Sequence, residues 1–164
     1  MNTKGRKTTL YIAQGAVIAA MYVALTMIFQ PISFGPIQFR IAEMLTILPM
    51  FTPAAIPGLF IGCLIGNILG GAILPDVIFG SLATLIGAVG SYLLRNRRWL
   101  VPIPAVVSNT LIVPFVLRYG YGFDLPLPLL VLYIFAGEVL GCYVLGELLA
   151  FPLIKVPKHV FEGK

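Results

Sequence analysis

Long apolar runs separated by short polar or Pro/Gly-rich breaks repeat along this chain. About 20 apolar residues in a helix cross the ~30 Å hydrocarbon layer of a bilayer, and shorter pieces suffice where protein surrounds them. The runs predict a first helix over about 9–29, followed by a Pro/Gly-punctuated stretch over 30–39. A short second helix covers about 40–51, with Pro49 near its end. A third begins after Pro53 and runs to about residue 70, and a fourth covers 75–94. The fifth covers 99–118, where Pro102, Pro104 and Pro114 predict kinks. A loop over 119–128 leads into a sixth helix that ends near Pro152. A five-span alternative turns 40–51 into a re-entrant loop.

Composition agrees with the pattern. The 164 residues are 59% hydrophobic and 10% charged, with a mean hydropathy of +1.00, whereas soluble domains carry about 25% charge. The expected fold is an all-α membrane protein, a single integral membrane domain over 1–164 with short tails at about 1–8 and 153–164. The net charge of +5 lies in clusters beside the apolar runs: Lys4, Arg6 and Lys7, then Arg95, Arg97 and Arg98, then Lys155 and Lys158. Six spans place all three on one side, the cytoplasmic side by the positive-inside rule, together with both termini. Five spans would set them in conflict. This placement answers to a membrane and not to nucleic acid. Cys63 and Cys142 are isolated in apolar stretches, so neither a disulfide framework nor a zinc spacing is present. The first run is too long for a signal-peptide core and is expected to be retained.

On this threading most intramembrane polar residues fall in the outer half. Arg40 and Glu43 start the second helix at the outer face, Asp76 starts the fourth, Arg118 ends the fifth, and Asn67 lies near the outer end of the third. Asn109 and Glu138 each sit about nine residues in, roughly 13 Å deep. The inner half offers Gln14 and Glu147. Glu147 is nine residues from Glu138, half a turn away on an α-helix. A charge at membrane depth costs roughly 2.5–3.5 kcal/mol on insertion scales, so it faces a partner, a cavity or a ligand. Simpler roles compete for each residue. Asp76 could cap its helix, Arg40 and Glu43 could pair one turn apart, Arg118 could snorkel, and Asn109 could bond a neighbouring helix. Glu138 has no basic residue at its depth. It is the strongest ligand candidate.

Small residues form a second pattern. Gly58, Gly62, Gly66 and Gly70 recur every fourth position, and Gly137 and Gly141 share the last helix. Ala16, Ala20 and Ala24 line one face of the first helix, beside Gly15 and Ala19. Such stripes let membrane helices approach closely. The glycine stripe is expected to pack internally, whereas the alanine stripe is free to meet another protein.

Three strings carry a family resemblance: Ile32–Glu43 (ISFGPIQFRIAE), Phe79–Thr84 (FGSLAT) and Gly137–Gly146 (GEVLGCYVLG). They resemble the QueT family of queuosine-precursor S-components, the substrate-binding subunits of energy-coupling factor (ECF) transporters. The resemblance implies a six-helix S-component bundle in the bacterial cytoplasmic membrane. Such a subunit binds one small molecule from outside, under the loop joining helices 1 and 2. It docks through an Ala-x-x-x-Ala face, here Ala16, Ala20 and Ala24, on a membrane T-component driven by two cytoplasmic ATPases, then topples to release its cargo. No Gly-x-x-x-x-Gly-Lys-Ser/Thr phosphate loop occurs, consistent with a borrowed motor. No cofactor is implied.

For a 7-deazaguanine (7-cyano, 7-aminomethyl or queuine), Glu138 could accept the N1–H and 2-amino group together, with Asn109 at the O6/N1 corner. Glu43 or Asp76 could balance a 7-aminomethyl cation. Phe34 and Phe39 could stack from above and Phe79 and Phe135 from the side, at about 1–3 kcal/mol per stacked base. Other classes fit less well. His159 is the one histidine and falls in the C-terminal tail, so an intramembrane enzyme lacks its usual groups. A scaffold subunit leaves Glu138 unexplained, and a stand-alone secondary transporter would show internal repeats. Another S-component specificity, for a vitamin or a different purine-like compound, is the nearest alternative.

Overall fold

The computed structural model describes residues 3–34, 38–157 and 161. Among the described residues all regular structure is helical. Helix α1, Thr3–Ile28, is followed by the single turn α2, Gln30–Ser33. A 3₁₀ helix, Ile41–Met50, comes next, then α3, Ala55–Leu69, and α4, Leu74–Leu93. Among the described residues, four helices are long and apolar enough to cross a membrane: Gly5–Ile28, Leu74–Leu93, Arg98–Gly120 and Leu127–Leu153. Ile41–Met50 and Ala55–Leu69 are apolar but shorter. At a rise of about 2.0 Å per residue the 3₁₀ helix reaches only ~20 Å.

That second element is a distinct helix rather than a loop, but it is wound more tightly than an α-helix. Ten residues of 3₁₀ are unusual, since runs beyond 3–4 residues are uncommon. Its surroundings explain its survival. Ala42, Glu43, Leu45, Thr46, Ile47, Leu48 and Pro49 are all buried, and the element packs against α1, α3, α4 and the last helix. The main apolar core, with Tyr22, Ile47, Leu59 and Cys63, wraps around it. Pro49 lacks a donor, so the intrahelical bond its N–H would make in the last turn is forgone.

The fifth and sixth segments are irregular where the sequence predicts trouble. Segment five combines a 3₁₀ turn at Arg98–Leu100, α5 at Ile103–Phe115 and a π-helical turn at Val116–Gly120, directly after Pro114. Segment six runs as α6, Leu127–Glu138, a π-helical stretch Val139–Leu145, and α7, Gly146–Leu153. The π stretch corrects one expectation. A wider turn advances side chains by less per residue, so nine residues no longer separate Glu138 and Glu147 by half a turn. Both are turned towards protein: Glu138 is buried, and Glu147 pairs with Arg98 at 2.6 Å.

The glycine stripe is the α1–α3 seam. A Cβ on Gly58 would stand 2.7 Å from the Gly15 carbonyl oxygen, and one on Gly62 would stand 2.7 Å from Tyr22 Cβ. Gly66 faces Thr26, and Gly70 faces the Phe34 ring. Gly141 does the same for the 3₁₀ helix, since its Cβ would lie 3.1 Å from the Arg40 carbonyl oxygen. Ala16, Ala20 and Ala24 lie on the opposite, exposed side of α1.

The two ends of the bundle differ. At one end Lys7, Arg95, Thr52, Ile154 and Phe161 line a cavity of about 640 Å³. There Gln14 Nε2 donates to the Phe161 carbonyl and Phe161 packs on Phe51. At the other end Gln30 meets Gly70 and Tyr121 meets Ile73. Lys158, His159 and the Gly35–Pro36–Ile37 part of the first family string lie outside the described residues.

Candidate functional site

The polar residues predicted from different helices converge into one buried cluster. Its first part is a charge pair. Arg40, at the entry to the 3₁₀ helix, lies 3.4 Å from Asp76 Oδ2 on α4, with the two side chains 6% and 0% exposed. Arg40 also donates to Gln38 Oε1 at 3.3 Å and sits over the Phe34 ring at 5.4 Å. Gln38 holds a left-handed backbone, φ 43°, and is itself buried. A side chain with a Cβ is rarely left in that region without surrounding contacts to hold it.

Asp76 is a partner, not a cap. Its Oδ1 has no hydrogen-bond partner, so it caps no backbone N–H of α4, and its Oδ2 accepts from Tyr121 at 3.0 Å. Asn67 Nδ2 donates to the Asp76 carbonyl at 3.3 Å, tying α3 to the start of α4. Partial burial and the adjacent Asp76 carboxylate push the Tyr121 phenol up to about 12, so it keeps its proton and donates at neutral pH. Arg40 and Glu43 do not pair, because Asp76 takes the guanidinium and Glu43 turns towards α1.

There Glu43 Oε1 accepts from the Tyr22 hydroxyl and, at 3.4 Å, from Thr84. Its Oε2 has no hydrogen-bond partner although the residue is 2% exposed. Glu138 Oε2 accepts from Asn109 Nδ2 at 3.1 Å and from the Cys142 thiol at 3.2 Å. Glu43, Glu138 and Cys142 offer ligand atoms within 4.8 Å of one another, close enough to hold one cation between them. Buried acceptors without donors are costly, and uncompensated buried carboxylates far more so. Two carboxylates this close, with no ion-pair partner among the described residues, can accept bonds from a donor-rich or positively charged group.

The aromatic positions divide. Phe34 joins the cluster through Arg40, and Phe39 is half-buried beside it in sequence. Phe79 and Phe135 are 51% and 48% exposed and are not brought to the cluster. One helical turn from a site residue does not place a side chain on the same face once each helix's phase is fixed. Arg118 does not simply snorkel: it donates to the Phe123 and Leu125 carbonyls and ties down the 119–126 loop.

Tyr22, Thr84, Cys142, Gln38 and Tyr121 are site neighbours that the sequence reading left out. Three carried a signal. Cys142 follows Glu138 by four residues on one helix, Thr84 ends the FGSLAT string, and Tyr22 continues the Gly15–Ala19 face of α1. Tyr121 comes from a loop, where no periodicity announces a contact.

Four helices long and apolar enough to cross a bilayer, closed around a buried charged cluster, define a helical membrane protein. It belongs to the QueT transporter family, whose sequence model matches residues 12–155. It is also similar to the "Queuosine precursor transporter QueT" of Lactococcus lactis subsp. cremoris (strain MG1363), at 44% identity over 84 residues. That match covers 50% of this chain and 49% of the relative, so it spans about half the length of the curated relative. No solved structure matches the chain.

Proposed function

We propose that this protein is the substrate-binding S-component of an ECF-type importer, taking a queuosine precursor of the 7-deazaguanine class from outside the cell. The observation that carries the proposal is the buried acidic pair, Glu43 and Glu138, flanked by Asn109, inside an apolar helical bundle. The relative's name supports the substrate class. In this proposal six helices cross the membrane and both termini are cytoplasmic. Lys7, Arg95 and Ile154 share one end of the bundle, as an even number of crossings between them requires. Arg40, Asp76, Asn67, Phe34 and Phe39 then form the outer roof of the site. The protein performs no chemistry on its cargo, and two cytoplasmic ATPases supply the work through a membrane T-component.

Thermal-shift measurement of the purified protein with guanine, 7-cyano- and 7-aminomethyl-7-deazaguanine and queuine tests the substrate class. A large shift with a 7-deazaguanine and none with guanine is expected, and no shift with any of them sinks the assignment. Glu138→Gln keeps the shape but removes the charge that strengthens its hydrogen bonds. Calorimetry should show binding weakened at least tenfold, and unchanged affinity would remove Glu138 from the site.

Docking on the T-component falls to the exposed Ala16, Ala20 and Ala24 face of α1, where small side chains permit close helix contact. Ala20→Leu should abolish cellular uptake while the isolated subunit still binds ligand. Loss of both would mean that the face packs this fold rather than a partner.

A further inference from the structure

We infer that Glu43 and Glu138 together form an ammonium subsite, so that the site selects ligands carrying a protonated amine over uncharged ligands of the same shape. The inference rests on the binding role proposed above and specifies which part of the ligand the pair meets. Three carboxylates are buried in the cluster, Glu43, Asp76 and Glu138, against one buried cation, Arg40. Asp76 uses that cation. Among the described residues the other two carboxylates have no ion-pair partner.

Geometry decides how they divide the work. If Glu138 took the guanine-like edge and Glu43 balanced the 7-aminomethyl group, the two carboxylates would stand at opposite ends of the ring system. Instead their nearest oxygens lie within 4.8 Å, and so they address one group. An ammonium suits that place: it is a compact cation with three donors and no acceptor. Glu43 Oε2 has no hydrogen-bond partner and can take one donor, and the Glu138 carboxylate takes another in a charge-assisted bond. The Tyr22 hydroxyl donates to Glu43 and Asn109 donates to Glu138, which fixes both carboxylates. A neutral ligand of the same shape would bring no positive charge to the pair and leave their mutual repulsion in place.

The test uses the full chain in detergent. Calorimetry compares 7-aminomethyl-7-deazaguanine with its uncharged 7-hydroxymethyl isostere and with the 7-cyano compound. The amine should bind at least tenfold tighter than either, and Glu43→Gln should reduce that preference to less than threefold. Equal affinity for amine and hydroxymethyl forms in the wild type, or a preference that survives Glu43→Gln, overturns the subsite but leaves the transport proposal standing. A second arm needs no deazaguanine: benzylammonium should raise the melting temperature more than benzyl alcohol. If no 7-deazaguanine binds, the substrate proposal fails and this arm alone decides the subsite. A shift with Zn²⁺ but none with benzylammonium would make the pair a metal site and overturn the inference.

Discussion

Gly62→Leu is expected to lose the folded bundle rather than merely loosen it. A Cβ at this position would stand 2.7 Å from Tyr22 Cβ, 3.0 Å from the Ala19 carbonyl oxygen and 3.1 Å from Ala19 Cα. Two of those three obstacles are backbone, so no rotamer change relieves them. Overpacking a well-filled core costs about 1–3 kcal/mol even where side chains can adjust, and here α1 must move bodily away from α3. Membrane helices gain little hydrophobic drive from meeting each other, so close backbone approach supplies much of their association. The displacement would also carry Tyr22 away from Glu43, removing a donor from a buried carboxylate. Thermal unfolding in detergent should show a destabilisation at or above the upper end of that range, and ligand binding should be lost with it. Gly5→Leu is the control, because nothing lies within 4 Å of its added Cβ. A Gly62→Leu protein that melts like wild type would show that the α1–α3 seam contributes little to stability.

The seam and the cluster were not equally visible in the sequence. A four-residue glycine repeat is a direct record of helical close packing, and the facing residues Gly15, Ala19 and Tyr22 follow from the same periodicity. That Asn109 and Glu138 lie at matching levels was also legible, because each is counted about nine residues from its helix end, and the two side chains meet. Facing direction was harder. It depends on accumulated rotation, which the π-helical stretch Val139–Leu145 changes without an obvious sequence marker and so misplaced Glu147, and on the phase of each helix, by which Phe79 and Phe135 turn outward. Pairing was hardest. Arg40 had Glu43 three residues away and Asp76 thirty-six residues away, and local spacing favoured the wrong carboxylate. The tight winding of the 3₁₀ helix and the approach of α4 decide that choice, and both belong to the assembled bundle.

Arg40→Ala should be nearly as damaging as the packing change, for an electrostatic reason. It strands Asp76, 0% exposed, with the Tyr121 hydroxyl as its remaining side-chain donor. Removing one partner of a buried ion pair costs about 3–5 kcal/mol, because the other charge stays buried and uncompensated. The separation of 3.4 Å is long for a tight hydrogen bond, so charge compensation dominates the pair. That makes the double variant informative. If compensation is the main effect, Arg40→Ala with Asp76→Ala should recover part of the loss, with a coupling within the usual range of about 0.5–3 kcal/mol. Recovery should stay incomplete, since Arg40 also holds Gln38 in its left-handed backbone and covers the Phe34 ring. Denaturation of the four proteins in one detergent measures the coupling directly. Strict additivity would mean that the guanidinium stabilises the cluster through Gln38 and Phe34 alone. Asp76 would then be a third uncompensated carboxylate beside Glu43 and Glu138, and the charge count behind the ammonium subsite would have to change with it.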